Sequence, residues 1–384
     1  MAMAAQPVHD PADVRKLVLA GQLGFIPTGV IVTILGPMLP ILIARWALND
    51  TQAGNLFLVQ FLGSMTGVLL SGVLLAKLGF RPAFLLGLVF MAVGISTIYA
   101  PVLWMGLIAA AVLGLGQGFI IPTDNLMVAE ISPDSRATAV SLLNFYWGVG
   151  AVFCSLAIAW AYMHHLLLLF RGAVALFLVL LALGVRRLPF PGKLHAEKSG
   201  LAWGQLLREP EFWLFSAVFF LYPGAETAVG GWISAYVTRM GHAEMGPAMP
   251  AFFWSALTLG RGCAGPVLRR VSEHNVLRTG FATATVGIAI MLWTSTLTGA
   301  IVSAVIVGLS YAILYPVNVA RLSQHFGPSA RAIGSIMFAL AGLGPALVPK
   351  WVGMVSTMTG NLRVGLTVPL VATVILLIIH LRKW

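Results

Sequence analysis

Charged residues are scarce in this sequence. Asp, Glu, Lys and Arg make up only 9% of the 384 residues, whereas soluble domains typically carry about 25%. Hydrophobic residues account for 59% of the chain, and its mean hydropathy is +0.93. A chain of this size with so little polar surface is not expected to remain in water, which argues against a large soluble core.

Cysteine is equally rare, with only Cys154 and Cys263 in the chain. Both lie in apolar segments, so we expect small packing residues rather than a disulfide. The sequence also lacks a Walker motif, a nucleophile triad and His/Cys metal-ligand spacing. We therefore expect no cofactor, no metal and no enzymatic activity.

Positive charge is in excess, with a formal net charge of +11. In a soluble protein this excess would suggest nucleic acid as a partner. Here the basic residues lie mainly between apolar runs, which is the pattern of the positive-inside rule. We expect a lipid bilayer and no nucleic acid.

Apolar runs fill most of the chain, and a helix needs about 20 such residues to cross a bilayer. The runs predict an all-α polytopic membrane protein with twelve transmembrane helices. The expected spans are 17–43, 53–76, 82–100, 103–129, 137–162, 166–185, 210–237, 248–268, 279–297, 299–322, 332–355 and 364–381.

The distribution of Lys and Arg predicts the orientation of these spans. If residues 1–16 form a cytoplasmic tail, the inner loops receive most of the basic residues and the outer loops receive few. The outer set is Arg45, Arg171, Arg239 and Arg363. The polar start of the chain indicates a tail rather than a cleavable signal peptide. We expect a multi-pass protein of the cytoplasmic (inner) membrane with both termini cytoplasmic.

The longest polar segment divides the chain almost in half. It predicts an N-terminal six-helix half over 17–185, a cytoplasmic linker over 186–209 and a C-terminal half over 210–384. Within the linker, "LAWGQLLRE" has helical spacing, typical of an amphipathic helix on the membrane surface.

The two halves carry glycine, proline and arginine residues in the same order and at similar spacing. Gly114 and Gly308 each precede a proline by eight residues, and a later Pro and Arg pair follows in both halves. Each half then enters an apolar span with a Gly-x-Gly, at 148–150 and 342–344. The offset of about 194 to 195 residues predicts two six-helix pseudo-repeats. In secondary transporters, such repeats enclose a substrate site near the bilayer midplane.

"SGVLLAKLGFRP" resembles the loop signature Gly-x-Leu-x-Asp-Arg-x-Gly-Arg of the major facilitator superfamily through Gly72, Lys77, Gly79 and Arg81. Ala76 stands where that family has Asp. The resemblance covers the whole chain and implies the major facilitator fold. It implies conformational gating by basic residues at the inner ends of the spans. The gating candidates are Lys77, Arg81, Arg136, Arg269 and Arg331.

A narrower resemblance comes from "YPGAETAVGGW", which is similar to Tyr-x-Gly-Ala-Glu-x-x-x-x-x-Trp. That pattern belongs to the fucose/galactose/glucose:proton symporter branch and its sodium-dependent glucose relatives. "TDNLMV" and the Asn-x-x-x-Gly-x-Gly-Ala that begins at Asn144 also look like this branch. The resemblance implies uptake of a sugar driven by a proton or sodium gradient. Proton symporters of the branch carry an acid in the first span, and this chain has none there.

Two acids lie at membrane depth, Asp124 in the fourth span and Glu226 in the seventh. A charge at that depth is costly and usually faces the protein interior or a water-filled path. Each acid is a candidate for binding the coupling ion. The alternative is that the acid is structural and pairs with a basic residue. Arg261 could be the partner of either acid, or could bind an anionic substrate.

Sugars need aromatic faces and groups that hydrogen-bond their hydroxyls. The candidate substrate-binding residues are Gln22, Gln117, Asn125, Asn144, Trp147, Tyr222, Glu226, Trp232, Trp254, Tyr315 and Asn318. Any of the aromatics could instead serve in packing or in an interfacial belt. Any of the amides could instead join helices.

The sequence thus predicts a monomeric secondary transporter that works by alternating access, with a small-molecule substrate and a coupling proton or sodium ion. Two alternatives stay open. One is an exporter of drugs or lipid-like amphiphiles, suggested by the many Met and Phe residues. The other is a membrane sensor or scaffold built on a transporter fold.

Overall fold

The protein is described by a computed structural model covering residues 11–194, 206–327 and 330–381. These residues form α-helices and two short 3₁₀ turns. The apolar runs become helices because a backbone in lipid must satisfy its own hydrogen bonds. Eleven helices in this part of the chain are long and apolar enough to cross a membrane.

Twelve spans result when bent helices are counted once, and we number them α1 to α12. The first half contains α1 (Pro11–Thr33 and Leu35–Trp46), α2 (Asp50–Lys77), α3 (Phe80–Thr97), α4 (Leu103–Ile131), α5 (Arg136–Met163) and α6 (Leu167–Val185). The second half contains α7 (Pro210–Arg239), α8 (Met249–Gly262 and Ala264–Leu268), α9 (Glu273–Trp293), α10 (Leu297–Tyr311 and Leu314–Phe326), α11 (Ala330–Thr359) and α12 (Leu362–Gly365 and Thr367–Leu381).

The predicted boundaries need three corrections. Helix α1 begins at Pro11, inside the tail expected over 1–16, since proline is favoured in the first turn of a helix. Helix α9 begins at Glu273, six residues earlier than expected, because the Ser272 side chain caps it. Helix α8 divides at Cys263, so neither part reaches full spanning length by itself.

Some predicted segments lie outside the described residues. They are the first ten residues of the tail and residues 195–205 of the expected linker, which include residues 201–205 of its amphipathic helix. The side chain of Arg331 also lies outside the described part of the chain.

Helix α2 is delimited by local signals at both ends. At its start, the Asn49 side chain accepts from the Gln52 amide while the Gln52 side chain accepts from the Asn49 amide, which forms a capping box. After its end, Gly79 has φ +86° and ψ −171°, a conformation that side chains disfavour. The tight turn at Gly79 therefore leads directly into α3.

The two halves repeat one packing contact. Gly150 of α5 lies against the carbonyl oxygen of Ile26 in α1, and Gly344 of α11 lies against that of Phe220 in α7. A Cβ at either glycine would overlap that oxygen. Both members of the second pair follow those of the first by 194 residues. Small residues let membrane helices approach closely, and here they do so in a two-fold pattern.

Alternation of the spans gives the bundle two faces. We call the one at which α1 begins and α12 ends the terminal face, and the other the opposite face. At the opposite face, Arg239 of α7 pairs with Asp50 of α2 at 2.8 and 2.5 Å. Ser356 of α11 donates to the same carboxylate at 2.5 Å. These bonds join the two halves.

Further bonds between α2 and α11 continue this seam toward the middle of the bundle. The Thr51 amide donates to the Thr357 hydroxyl at 2.8 Å. The Lys350 ammonium donates to the Asn55 side chain at 2.5 Å and to the Thr51 carbonyl at 3.1 Å. The opposite face is therefore closed by a polar seam between the halves.

Candidate functional site

Glu226 lies in the middle of α7 and is half-buried. The hydroxyl of Tyr222, one helical turn earlier, donates to its carboxylate. The same hydroxyl lies 2.9 Å from the carbonyl oxygen of Tyr311 in α10, which is an alternative acceptor for its single hydrogen. The four-residue spacing of the sequence motif therefore does place Tyr222 and Glu226 in contact.

Helices α5 and α8 place a cation and two indole rings in one group. The Arg261 guanidinium lies 5.6 Å from the centroid of the Trp147 ring. Trp147 in turn meets Trp254 edge to face, with ring centroids 5.6 Å apart and an interplanar angle of 86°. Trp147 belongs to the first half and the other two residues to the second, so this group bridges the halves.

The group around Glu226 and the group around Arg261 are neighbours. The charge of Arg261 acts on Glu226, Tyr222 and Tyr315. Among the described residues, however, no carboxylate oxygen lies within 4.0 Å of the Arg261 guanidinium. Tyr315 of α10 stacks on Tyr222 with centroids 6.2 Å apart. We call Trp147, Tyr222, Glu226, Trp254, Arg261 and Tyr315 the inter-half site.

Asp124 occupies a separate position within the first half. It is fully buried in α4, against Gly21 and Gly24 of α1. Neither of its carboxylate oxygens has a hydrogen-bond partner among the described residues. Gly21 is tightly placed, because a Cβ there would overlap a carboxylate oxygen of Asp124. Asp124 therefore does not share a site with Glu226.

Several predicted substrate-binding residues join helices instead. Gln117 is 1% exposed and accepts from the Gln60 side chain at 3.1 Å. Trp232 is completely buried and donates to the Pro349 carbonyl at 3.0 Å. Asn318 is 2% exposed and contacts the His380 ring at 3.4 Å. The structure places these three residues within helix contacts rather than in the inter-half site.

The remaining amides lie elsewhere. Asn125 and Asn144 each donate to a carbonyl of their own helix, at 2.8 and 2.9 Å. Asn144 is exposed, while Asn125 and Gln22 are half-buried. Asn144 precedes Trp147 by one helical turn and lies on the terminal side of it. It is therefore the amide best placed to extend the inter-half site toward the terminal face.

The predicted gating residues lie at the terminal face. Lys77, Arg81, Arg136 and Arg269 are exposed. Arg81 donates to the Leu188 carbonyl at 2.8 Å, a contact within the first half and its linker. The seam through Asp50, Arg239 and Ser356 was not predicted. The sequence singled out Arg239 as one of the few basic residues on the outer side. No pattern near it in the sequence indicated Asp50 as its partner.

A two-fold bundle with a polar site between its halves defines a class of protein, the membrane transporters that work between two such halves. The sequence model of the Major Facilitator Superfamily matches residues 23–349. The chain belongs to this superfamily, and it is a transporter rather than an enzyme.

Three curated relatives are similar at low identity. The glucose/mannose transporter GlcP of Bacillus subtilis is 22% identical over 353 residues, with 88% of each chain covered. An MFS-type transporter of Yersinia pestis is 26% identical, with 85% of this chain and 86% of that protein covered. Bypass of stop codon protein 6 of Saccharomyces cerevisiae is 24% identical over 68% of this chain, and the match spans 59% of the yeast protein.

Solved structures share the fold. A bacterial homolog of the human lysosomal transporter Spinster, inward-facing and occupied, has a TM-score of 0.81 and 15% identity, with 97% of each chain covered. The transporter FucP in its outward conformation has a TM-score of 0.65 and 18% identity, with 96% of this chain and 98% of that chain covered. These likenesses place the whole chain in the major facilitator fold.

Proposed function

We propose that the chain takes up a sugar or a similar polar small molecule by alternating access, driven by a cation gradient across the inner membrane. The observation that carries the proposal is the contact of Glu226 with Tyr222 at the boundary between the halves. A titratable group there is reached from either side in turn as the halves rock.

The hydrogen bonds around Glu226 favour a proton as the coupling cation. When Glu226 is ionised, the Tyr222 hydroxyl donates to it. When Glu226 is protonated, its own O–H can donate to the Tyr222 oxygen, and Tyr222 then donates to the Tyr311 carbonyl at 2.9 Å. In both states each of these hydroxyl hydrogens has an acceptor, so neither state leaves a buried donor unpaired. This arrangement supports reversible protonation.

Asp124 is proposed as a second coupling position. A buried carboxylate without a partner is costly, and a bound proton or sodium ion would relieve that cost. Its contact with Gly21 and Gly24 connects it to α1, whose opposite end lies near the polar seam. Loading of Asp124 would then bias the packing of α1 on α4.

The direction of opening follows from the seam. We propose that the termini are cytoplasmic and that the protein acts as a monomer. The seam through Asp50 and Arg239 then closes the outer side. Residues on the terminal side of the inter-half site, such as Asn144 and Pro316, are exposed. Substrate would leave the site past them, and the recorded conformation would be the one that releases substrate inward.

Uptake by the purified chain in proteoliposomes tests the proposal. Labelled glucose, mannose, fucose, galacturonate and gluconate are offered under an inward proton gradient, an inward sodium gradient, or no gradient. The proposal expects saturable uptake of at least one of these compounds and accumulation only with a gradient. The absence of saturable uptake of all five, in vesicles that contain correctly folded protein, would contradict it.

A further inference from the structure

One stripe of helix α8 carries three hydrogen-bond donors that lack acceptors among the described residues. The stripe consists of Trp254, Thr258 and Arg261, spaced four and three residues apart, so that all three lie on one side of the helix. This side faces α5, because Thr258 lies against Gly148 while Trp254 and Arg261 contact Trp147. We call these residues the α8 donor stripe.

The donor stripe is buried without its acceptors. The indole Nε1 of Trp254 has no hydrogen-bond partner among the described residues, although Trp254 is only 5% exposed. The Thr258 hydroxyl is likewise buried and has no partner in the described part of the chain. Buried polar groups are nearly always hydrogen-bonded, and an exception calls for a missing ligand or a functional reason. Two such exceptions next to each other indicate a group that belongs there and supplies acceptor atoms.

Arg261 adds a positive charge to the stripe, so the ligand that supplies the acceptor atoms should be negatively charged. Its guanidinium is half-buried and contacts the Trp147 ring, but it forms no ion pair within 4.0 Å in the described part of the chain. A guanidinium offers a planar fork of donors that fits a carboxylate with two parallel hydrogen bonds. An indole N–H and a hydroxyl beside it complete a site for a small anion.

The structure assigns the α8 donor stripe as a binding site for the carboxylate of the transported molecule. The inference rests on the proposed function and narrows its substrate class to polar organic acids, of which the sugar acids are the members that keep the sugar hydroxyls. The carboxylate would lie between Arg261 and Trp254, and the hydroxyls would reach Glu226 and Tyr222.

The charges at the site favour a single carboxylate. Arg261 is one cation, and the neighbouring Glu226 is one acid that we propose to carry a proton during uptake. A monocarboxylate bound at Arg261 and a proton bound at Glu226 together carry no net charge. A phosphate monoester would bring a second negative charge with no second cation in the site. Uptake should therefore be selective for carboxylates over phosphates.

Binding is measured separately from transport, by the intrinsic fluorescence of the purified full-length chain. Trp147 and Trp254 lie in the site and serve as reporters. The probes are gluconate and galacturonate, compared with the neutral sugars glucose and galactose and with glucose 6-phosphate. The variants are Arg261→Gln and Arg261→Lys, and the control is Arg270→Gln, which removes an exposed charge two residues after the end of the same span. Size-exclusion chromatography checks that each variant is folded.

The inference expects the two acids to bind about tenfold or more tightly than the neutral sugars, since a hydrogen-bonded charge pair replaces unpaired donors. Arg261→Gln should abolish this preference, Arg261→Lys should retain part of it, and Arg270→Gln should leave it unchanged.

Two results overturn the inference, and they differ in what else they affect. If neutral sugars bind as tightly as the acids and Arg261→Gln changes neither, the carboxylate site is wrong while sugar uptake stands. If folded protein binds none of the five probes and takes up none of the five compounds offered in the uptake experiment, the proposed function fails together with the inference. Preferential binding of glucose 6-phosphate would show that the site binds phosphates rather than carboxylates, and this result would also overturn the inference.

Discussion

The Arg239 guanidinium donates two hydrogen bonds to the Asp50 carboxylate, at 2.8 and 2.5 Å, across the boundary between the two halves. The carboxylate side chain is 8% exposed and the arginine side chain 42%. Ser356 donates to the same carboxylate. One side of the bundle is therefore held shut by a charge pair that must break whenever the halves rock the other way.

Neutralising this pair should open the opposite face. Asp50→Asn or Arg239→Gln removes charge-assisted hydrogen bonds, each worth about 1.5–3 kcal/mol. Because the arginine is partly exposed, solvent screens the pair and its contribution is smaller. The free-energy difference between the closed and open states should therefore change by about 1 kcal/mol, which is about fivefold in the population of the open state. Spin labels at Val102 and Ser295, in a chain with Cys154 and Cys263 replaced by alanine, should report longer distances.

The control for the seam is Lys16→Gln, which breaks the exposed pair of Lys16 with Asp13. Surface pairs contribute little, so the distance distribution should match that of the parent chain. Distributions that are identical in Asp50→Asn, Arg239→Gln and the parent would show that the charge pair does not hold the halves together.

The repeated glycine contact gives a stability prediction. Gly150→Ala and Gly344→Ala each place a methyl group against a backbone carbonyl that cannot move aside easily. Overpacking of this kind costs about 1–3 kcal/mol. Both variants should lower the thermal unfolding temperature in detergent, and by similar amounts because their surroundings repeat. Gly184→Ala is the matched control, since no atom of the described residues lies within 4 Å of its added Cβ.

Asp124 distinguishes coupling from structure. Asp124→Asn keeps the shape of the side chain but cannot exchange a proton. No described hydrogen bond is lost, so the unfolding temperature should stay equal or rise, while accumulation driven by a gradient should fall severalfold or more. Asp13→Asn, an acid in the first turn of α1, should leave accumulation unchanged. A large drop in stability with normal accumulation would assign Asp124 a structural role.

Gly21→Ala probes the same position from α1. Its methyl group would overlap a carboxylate oxygen of Asp124. We expect weaker coupling in this variant, seen as less substrate accumulated per unit of proton gradient, with transport by exchange retained. Accumulation equal to that of the parent chain would show that the contact of α1 with Asp124 does not take part in coupling.

Much of the fold was predictable because hydropathy is a local property. A helix in lipid satisfies its own backbone, so each apolar run indicated a span without knowledge of its neighbours. The repeat was also visible, because Gly150 and Gly344 are constrained by equivalent contacts. The break in α8 at Cys263 was not predicted, although Gly262, Gly265 and Pro266 beside it are local signals for a break.

The candidate site was less predictable because it depends on how each helix is rotated. Trp232 and Trp254 look alike in the sequence, yet Trp232 donates to the Pro349 carbonyl and Trp254 contacts Trp147 across the halves. The seam joins Asp50 to Arg239, which lie 189 residues apart. No local pattern relates two positions so distant, and only the packing of the two halves brings them together.

The most direct test of the account measures how Glu226→Gln separates coupling from binding. Proteoliposomes containing the parent chain, Glu226→Gln or the control Glu211→Gln receive labelled gluconate under an inward proton gradient, and counterflow is measured in parallel without a gradient. We predict that Glu226→Gln retains counterflow but equilibrates the substrate without concentrating it, while Glu211→Gln behaves as the parent chain does. Accumulation by Glu226→Gln to the level of the parent chain would contradict the role of Glu226 as the proton carrier.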